Sequence, residues 1–221
     1  MLSTGSLDTS IVNFDIRARN PEVSRFNDHQ QEVCGLKWSP DGTQLASGGN
    51  DNVLCVWDAS GPQQPLFKFS QHKAAVKAVA WSPWQRNLLA SGGGTKDKTI
   101  RFWNTETGSQ TGCHETTSQV CQILWNKFDR EILSSHGYEK NELSVWKYSH
   151  ADQSPLSKVS DLFGHTSRVL HLALSPDGST VASAAGDETL RFWKVFSTSK
   201  GGDFCAGKSR TLLSNKNINL K

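Results

Sequence analysis

Three times along the chain a histidine, a serine, an aspartate and a tryptophan follow one another at similar intervals. The sets are His29, Ser47, Asp51 and Trp57, then His72, Ser91, Asp97 and Trp103, then His165, Ser183, Asp187 and Trp193. Serine, histidine and aspartate within bonding reach are the parts of an acyl-transfer triad, in which the imidazole takes the hydroxyl proton and the carboxylate holds the imidazole. An enzyme needs that set once. Three copies at a fixed spacing point instead to a structural network, in which imidazole, buried carboxylate, hydroxyl and indole N–H satisfy one another. No other nucleophile and base stand apart from the repetition, so the chain reads as non-catalytic.

Other chemistries find little support. Gly92-Gly93-Gly94-Thr95-Lys96 suggests a phosphate loop, but the earlier glycine of that motif is missing and the strand-like Thr99-Ile100-Arg101-Phe102-Trp103 follows where a helix is needed. His114 and His150 have no neighbouring ligands in sequence, and the odd set Cys34, Cys55, Cys113, Cys121 and Cys205 contains no close pair. No metal, cofactor or disulfide framework is expected, and the cysteines read as free thiols of a reducing compartment. Lys plus Arg is 24 against Asp plus Glu 21, a net +3 that does not announce a nucleic-acid partner. Mean hydropathy is -0.50, and no apolar run approaches the roughly 20 residues of a membrane span.

The elements that position the repeated residues follow from the repeat itself. Segments ending VLCVWD at Trp57, TIRFWN at Trp103, LSVWKY at Trp146 and TLRFWK at Trp193 are matched by openings EVCGLKW from Glu32, AVKAVAW from Ala75, QVCQILW from Gln119 and RVLHLAL from Arg168. A unit of about 40 to 45 residues with four short strands is the signature of WD-type β-propeller blades. Within the first unit Val33 to Trp38 alternates, Ser39-Pro40-Asp41-Gly42 turns, Leu45 to Ser47 begins the next strand, Gly48 to Asn52 turns back, and Leu66 to Phe69 supplies an outer strand. The unit ending at Trp146 departs from the pattern. Thr116 stands where the histidine should be and Glu139-Lys140-Asn141 replaces the aspartate turn, so packing is expected to hold that blade.

The expected fold is therefore all-β, a partial WD40 propeller over 1–196 with repeats near 27–59, 66–105, 113–148 and 161–196. A two-strand remnant over 1–26 precedes them, with Phe14 in the tryptophan's place and Glu22 to Phe26 as its outer strand. Ser149 to Ser160 reads as a polar surface loop, the last blade lacks an evident outer strand, and 197–221 reads as a flexible basic tail. An open arc would leave apolar blade surface uncovered, so the sequence is expected to be a truncated or partial chain.

The wording of the repeats is more specific than their period. HQQEVCGLKWSPDGTQLASGGNDN over 29–52, AAVKAVAWSPWQRNLLASGGGTKDKTIRFWN over 74–104, SQVCQILW over 118–125 and GHTSRVLHLALSPDGSTVASAAGDETLRFWKVF over 164–196 strongly resemble the Fizzy and Fizzy-related proteins. These are co-activators of the anaphase-promoting complex, a ubiquitin ligase. The likeness covers roughly 2–196, and GDETLRFWKVF and SSHGYEKNELSVWKY look closer to the Fizzy-related branch. It implies a seven-bladed propeller that recruits KEN-box and destruction-box substrates or inhibitors, with subunits of the ligase as partners and a place in nucleus and cytoplasm. It also implies an N-terminal C-box arm and an Ile-Arg C-terminus. The sequence opens inside the repeats and ends Leu220-Lys221, so the expectation is that this chain alone neither docks the ligase directly nor completes a destruction-box groove. A generic WD scaffold is the alternative.

By the same resemblance the KEN receptor comprises Asn50 and Asn52 of GGNDN, Thr95 of GGGT and Arg168 of GHTSRV, and Glu188 faces the destruction-box arginine. The chemistry is sensible. Arg168 offers a fork of donors to a glutamate, the two asparagines each offer donor and acceptor, and Thr95 adds a hydroxyl. Asparagine in a Gly-Gly-Asn-Asp-Asn turn also serves simply to accept left-handed geometry.

Overall fold

The computed structural model describes residues 1–61, 63–149 and 154–197, together with the backbone of 211–217. These residues form five antiparallel sheets, one after another along the chain. The first holds β1 (Leu2–Gly5), β2 (Ile11–Phe14) and β3 (Glu22–Phe26). The second holds β4 (Val33–Trp38), β5 (Gln44–Gly49), β6 (Leu54–Asp58) and β7 (Phe67–Phe69). The third holds β8 (Val76–Trp81), β9 (Leu88–Gly93), β10 (Thr99–Asn104) and β11 (Ser109–Glu115). The fourth holds β12 (Gln119–Trp125), β13 (Glu131–Gly137), β14 (Leu143–Tyr148) and β15 (Leu156–Leu162). The fifth holds β16 (Val169–Leu174), β17 (Thr180–Ala185), β18 (Thr189–Lys194) and β19 (Thr211–Asn217).

Consecutive sheets meet along their first strands, with β4 beside β8, β8 beside β12 and β12 beside β16. A separate apolar core fills each interval. Phe26, Val33, Leu45 and Trp57 join the first two sheets, whereas Phe102, Trp125, Trp146 and Tyr148 join the third and fourth. Indole donors sew the same seams: Trp81 Nε1 donates to the Lys37 carbonyl at 2.9 Å and Trp125 Nε1 to that of Ala80 at 3.1 Å. Close approach needs a residue without a side chain at Gly35, where a Cβ would stand 2.6 Å from the Lys77 carbonyl oxygen.

A β-bulge recurs in the first strand of every four-stranded sheet. Pairing skips Cys34 between Val33 and Gly35, Lys77 between Val76 and Ala78, Cys121 between Val120 and Gln122, and Leu170 between Val169 and His171. A bulge bends its strand and re-aims the extra side chain. Four of them, near the starts of neighbouring strands, put four side chains at one level of the molecule.

Three expectations are corrected. The leading segment is a three-stranded sheet rather than a two-strand remnant, because Leu2–Gly5 pairs antiparallel with β2 and places Leu2 opposite Phe14, as Leu45 faces Trp57. Its four residues are mostly exposed and carry no apolar alternation, so only the partner strand reveals it. Ser149 to Ser160 is not all loop, since Leu156–Leu162 is the outer strand of the fourth sheet; Ser157, Lys158 and Val159 face solvent, which removes the apolar signal. Thr211–Asn217, expected within a tail, is the fourth strand of the last sheet, in register from Thr189↔Asn217 to Lys194↔Thr211. Such an edge strand is held by its hydrogen-bond ladder and needs no repeat word. Residues 198–210 and 218–221 of the expected tail, Cys205 among them, and His150 elsewhere in the chain lie outside the described residues.

Candidate functional site

The three networks set the geometry of one end of the sheets. In the second sheet Trp57 Nε1 donates to Ser47 Oγ at 2.7 Å, Ser47 Oγ lies 2.8 Å from His29 Nε2, and His29 Nδ1 lies 3.0 Å from Asp51. The third sheet repeats this through Trp103, Ser91, His72 and Asp97 at 2.7, 2.7 and 2.6 Å, and the fifth through Trp193, Ser183, His165 and Asp187 at 2.8, 2.7 and 2.9 Å. Only one assignment fits a neutral imidazole. The indole N–H is always a donor, so the hydroxyl accepts from it and gives its own proton to Nε2, and Nδ1–H donates to the carboxylate. Burial pushes the His72 and His165 imidazoles below the ordinary 6.5, outweighing the Asp97 and Asp187 carboxylates beside them. Burial raises the Asp97 carboxyl, but hydrogen bonds from His72 and Thr99 outweigh it and bring it down to about 2. In the third and fifth sheets a neutral histidine against an ionised aspartate is the state that results.

The fourth sheet is held by more than packing. Trp146 Nε1 donates to Ser134 Oγ at 2.7 Å, and Ser134 Oγ lies 2.7 Å from Nε2 of His136. His136 comes from the serine's own strand, two residues on, at the position taken by Gly49 in the second sheet. A Cβ on Gly49 would overlap the Asp51–His29 pair. One design leaves that position bare for a histidine arriving from a neighbouring loop, and the other grows the histidine there. The set has no bonded acid: Glu142, 1 % exposed, is reached by the Thr117 hydroxyl at 3.3 Å, while His136 Nδ1 and Glu142 Oε2 are buried without a hydrogen-bond partner.

Each carboxylate also ties its turn to the segment entering the sheet. Asp51 accepts the Gln30 N–H at 2.8 Å, Asp97 that of Lys73 at 3.1 Å and Asp187 that of Thr166 at 2.9 Å. Backbone bonds reinforce the tie: Asn50 N–H to the Glu32 carbonyl at 2.9 Å, Gly94 to Ala75 at 3.0 Å and Gly186 to Arg168 at 3.1 Å. The candidate binding residues are interleaved with these fixed groups. Asn50 and Asn52 flank Asp51, Thr95 stands two before Asp97, Glu188 follows Asp187, and Arg168 stands three after His165. The networks therefore act as scaffolding for outward-facing neighbours.

A cavity of about 160 Å³ opens at this end, lined by the four bulged residues Cys34, Lys77, Cys121 and Leu170 and, at its rim, by Asn50, Gly94, Gln119 and Arg168. Asn50 Nδ2 donates to Glu32 at 3.0 Å, and Thr95 Oγ1 donates to the Gln119 amide oxygen at 2.9 Å. Asn50 and Arg168 thus share one cavity, and Thr95 joins it through Gln119. Asn52 and Glu188 do not line it; both hold left-handed turn conformations, with φ 64° and 59°. Burial raises the Cys34 thiol to about 11 and raises that of Cys121 as well, so the cavity's sulfurs are protonated and its charge is that of Lys77 and Arg168. Among the described residues no three His, Cys, Asp or Glu side chains converge on a possible metal position. The arrangement can grip a short segment carrying a carboxylate and amide or backbone groups. Gln119 and the bulged Lys77 were not apparent from residue type, because nothing in a single strand shows which of its side chains a bulge will turn inward.

The CDC20/Fizzy WD40 domain family matches residues 1–193. The chain is 53 % identical over 201 residues to cell division cycle 20.1, cofactor of APC complex, of Arabidopsis thaliana, covering 89 % of this chain and 43 % of that protein. It is 57 % identical over 198 residues to the anaphase-promoting complex subunit cdc20 of Dictyostelium discoideum, covering 89 % and 39 %. Protein FIZZY-RELATED 3 of Arabidopsis thaliana is 54 % identical over 200 residues, covering 90 % and 40 %. These identities are level between the two branches and do not carry the preference for the Fizzy-related one. The chain spans about two fifths of the length of these relatives. A chain in a crystal structure of a mitotic checkpoint complex superposes with a TM-score of 0.84 at 49 % identity, over 88 % of this chain and 60 % of that one.

Proposed function

The chain belongs to the CDC20/Fizzy WD40 family, and from that premise we propose that it is a non-catalytic recognition segment of an anaphase-promoting complex co-activator. Its five sheets are read as consecutive blades of a seven-bladed propeller. The cavity bordered by Asn50, Gln119 and Arg168 is read as a receptor for a KEN-type peptide, working in nucleus and cytoplasm alongside subunits of the ligase. The observation that carries this reading is the convergence of four bulged inner strands on one cavity whose rim holds an amide and a guanidinium. Lysine, glutamate and asparagine in a compact turn match that rim. Arg168 takes the glutamate through a charge-assisted fork, while Asn50 and the Thr95–Gln119 pair take amide and backbone groups. Glu188, outside the cavity, is assigned to the arginine of a destruction box.

A fluorescence-anisotropy titration with a labelled Lys-Glu-Asn peptide tests the reading. Arg168→Glu should weaken binding by at least about tenfold, since it replaces attraction by like-charge repulsion. Unchanged affinity would remove Arg168 from the site. No binding by the unaltered chain would favour a generic interaction scaffold.

A further inference from the structure

Arg168 borders two cavities. Beside the one already described, a second of about 380 Å³ is lined by Tyr138, Asn141, Thr166, Ser167 and Arg168. Its wall is the turn between β13 and β14, and that turn is unusual. Tyr138 holds φ 73° and Asn141 φ 53°. Left-handed geometry is uncommon for a residue with a bulky side chain and persists where surrounding contacts impose it. Tyr138 is 64 % exposed, so burial of its ring does not account for the conformation.

What the turn does is reach Arg168. A guanidinium nitrogen of Arg168 donates to the Tyr138 hydroxyl at 2.8 Å, and the guanidinium carbon stands 5.5 Å from the centroid of the same ring. The neighbouring glycine permits this approach, because a Cβ on Gly137 would come within 2.5 Å of Arg168 Cβ. One side chain therefore restrains the guanidinium both at its edge and across its face. A free arginine has several rotatable bonds to fix on binding; one already held loses less.

Building on the peptide-receptor reading above, we infer that Tyr138 is a positioning residue that holds the Arg168 guanidinium at the rim of the peptide cavity. The hydroxyl occupies one donor at the fork's edge, leaving the others for a carboxylate. Tyr138 itself need not touch the peptide.

The test uses the full 221-residue chain and the labelled Lys-Glu-Asn peptide, with Tyr138→Phe, Tyr138→Ala and Arg168→Glu. Loss of one hydrogen bond should weaken binding by about two- to tenfold in Tyr138→Phe. Tyr138→Ala, which also removes the ring, should weaken it several-fold further. Both losses should disappear against a Lys-Gln-Asn peptide, whose neutral side chain no longer needs a fixed guanidinium. A tyrosine that merely supported the turn would weaken both peptides alike, and that result overturns the inference. Tyr138→Ala binding as tightly as the unaltered chain, while Arg168→Glu does not bind, would also overturn it and leave the receptor reading standing. Unchanged affinity in Arg168→Glu would instead remove Arg168 from the receptor and this inference with it, whereas no binding by the unaltered chain would defeat the receptor reading itself.

Discussion

Asp97→Ala is the perturbation that most directly probes how the turns are held. The Asp97 side chain is 1 % exposed and accepts three bonds, from His72 Nδ1 at 2.6 Å, the Lys73 N–H at 3.1 Å and the Thr99 hydroxyl at 2.7 Å. Removing it strands the imidazole and a backbone donor beside a new hollow. With the imidazole neutral no charge is stranded, and two unsatisfied donors plus a lost charge-assisted bond, at about 1–3 kcal/mol each, come to about 3–5 kcal/mol. A chain of this size loses about 2 kcal/mol of stability per molar urea, so the unfolding midpoint should fall by roughly 1.5–2.5 M. The control is Lys140→Ala, an exposed turn residue of the fourth sheet whose loss should lie within about 0.5 kcal/mol. Tryptophan fluorescence reports the melt directly, since Trp103 is a member of the same network. Equal shifts for the two variants, or a shift below about 0.25 M for Asp97→Ala, would refute the network as the device that fixes these turns.

The same groups set a pH response. His72 and His165 are held below 6.5 and Asp97 at about 2, so in each case the unfolded chain binds protons more readily. Stability should be level between about pH 7 and 8, fall steadily as pH drops through 6.5 toward 2, and fall again above about pH 9 as the buried thiols, Cys34 among them, resist ionisation in the fold; urea midpoints that rise between pH 7 and pH 5 would contradict this. In the fourth sheet Ser134→Ala removes the hydroxyl shared by Trp146 and His136 and should cost about 1–3 kcal/mol, as Ser91→Ala should in the third. A loss at Ser134 under a third of that at Ser91, measured by urea melts, would show that packing alone suffices there.

The repeat was legible because the second, third and fifth sheets use the same indole, hydroxyl, imidazole and carboxylate, and those residue types recur in sequence at similar intervals. The fourth sheet supplies its imidazole by another route. His136 sits two residues after Ser134 instead of arriving from a loop, so a search for a histidine at the Thr116 position misses it. Outer strands were hard to read for a different reason. Leu156–Leu162 and Thr211–Asn217 complete their sheets through backbone ladders, with little demand on side-chain pattern. The candidate site divides in the same way. Asn50, Thr95 and Arg168 stood out through the family's words, whereas the cavity floor depends on bulges at Cys34, Lys77, Cys121 and Leu170 that only paired registers disclose.

Amide hydrogen exchange with and without a saturating Lys-Glu-Asn peptide addresses the central claim, that four bulged strands and their turns form one peptide receptor. Protection should rise over 49–53, 93–98, 118–121 and 165–170 together, with 39–43 and 82–87 at the other end of the strands unchanged. Protection confined to 39–43 and 82–87, or spread evenly over the chain, would contradict it.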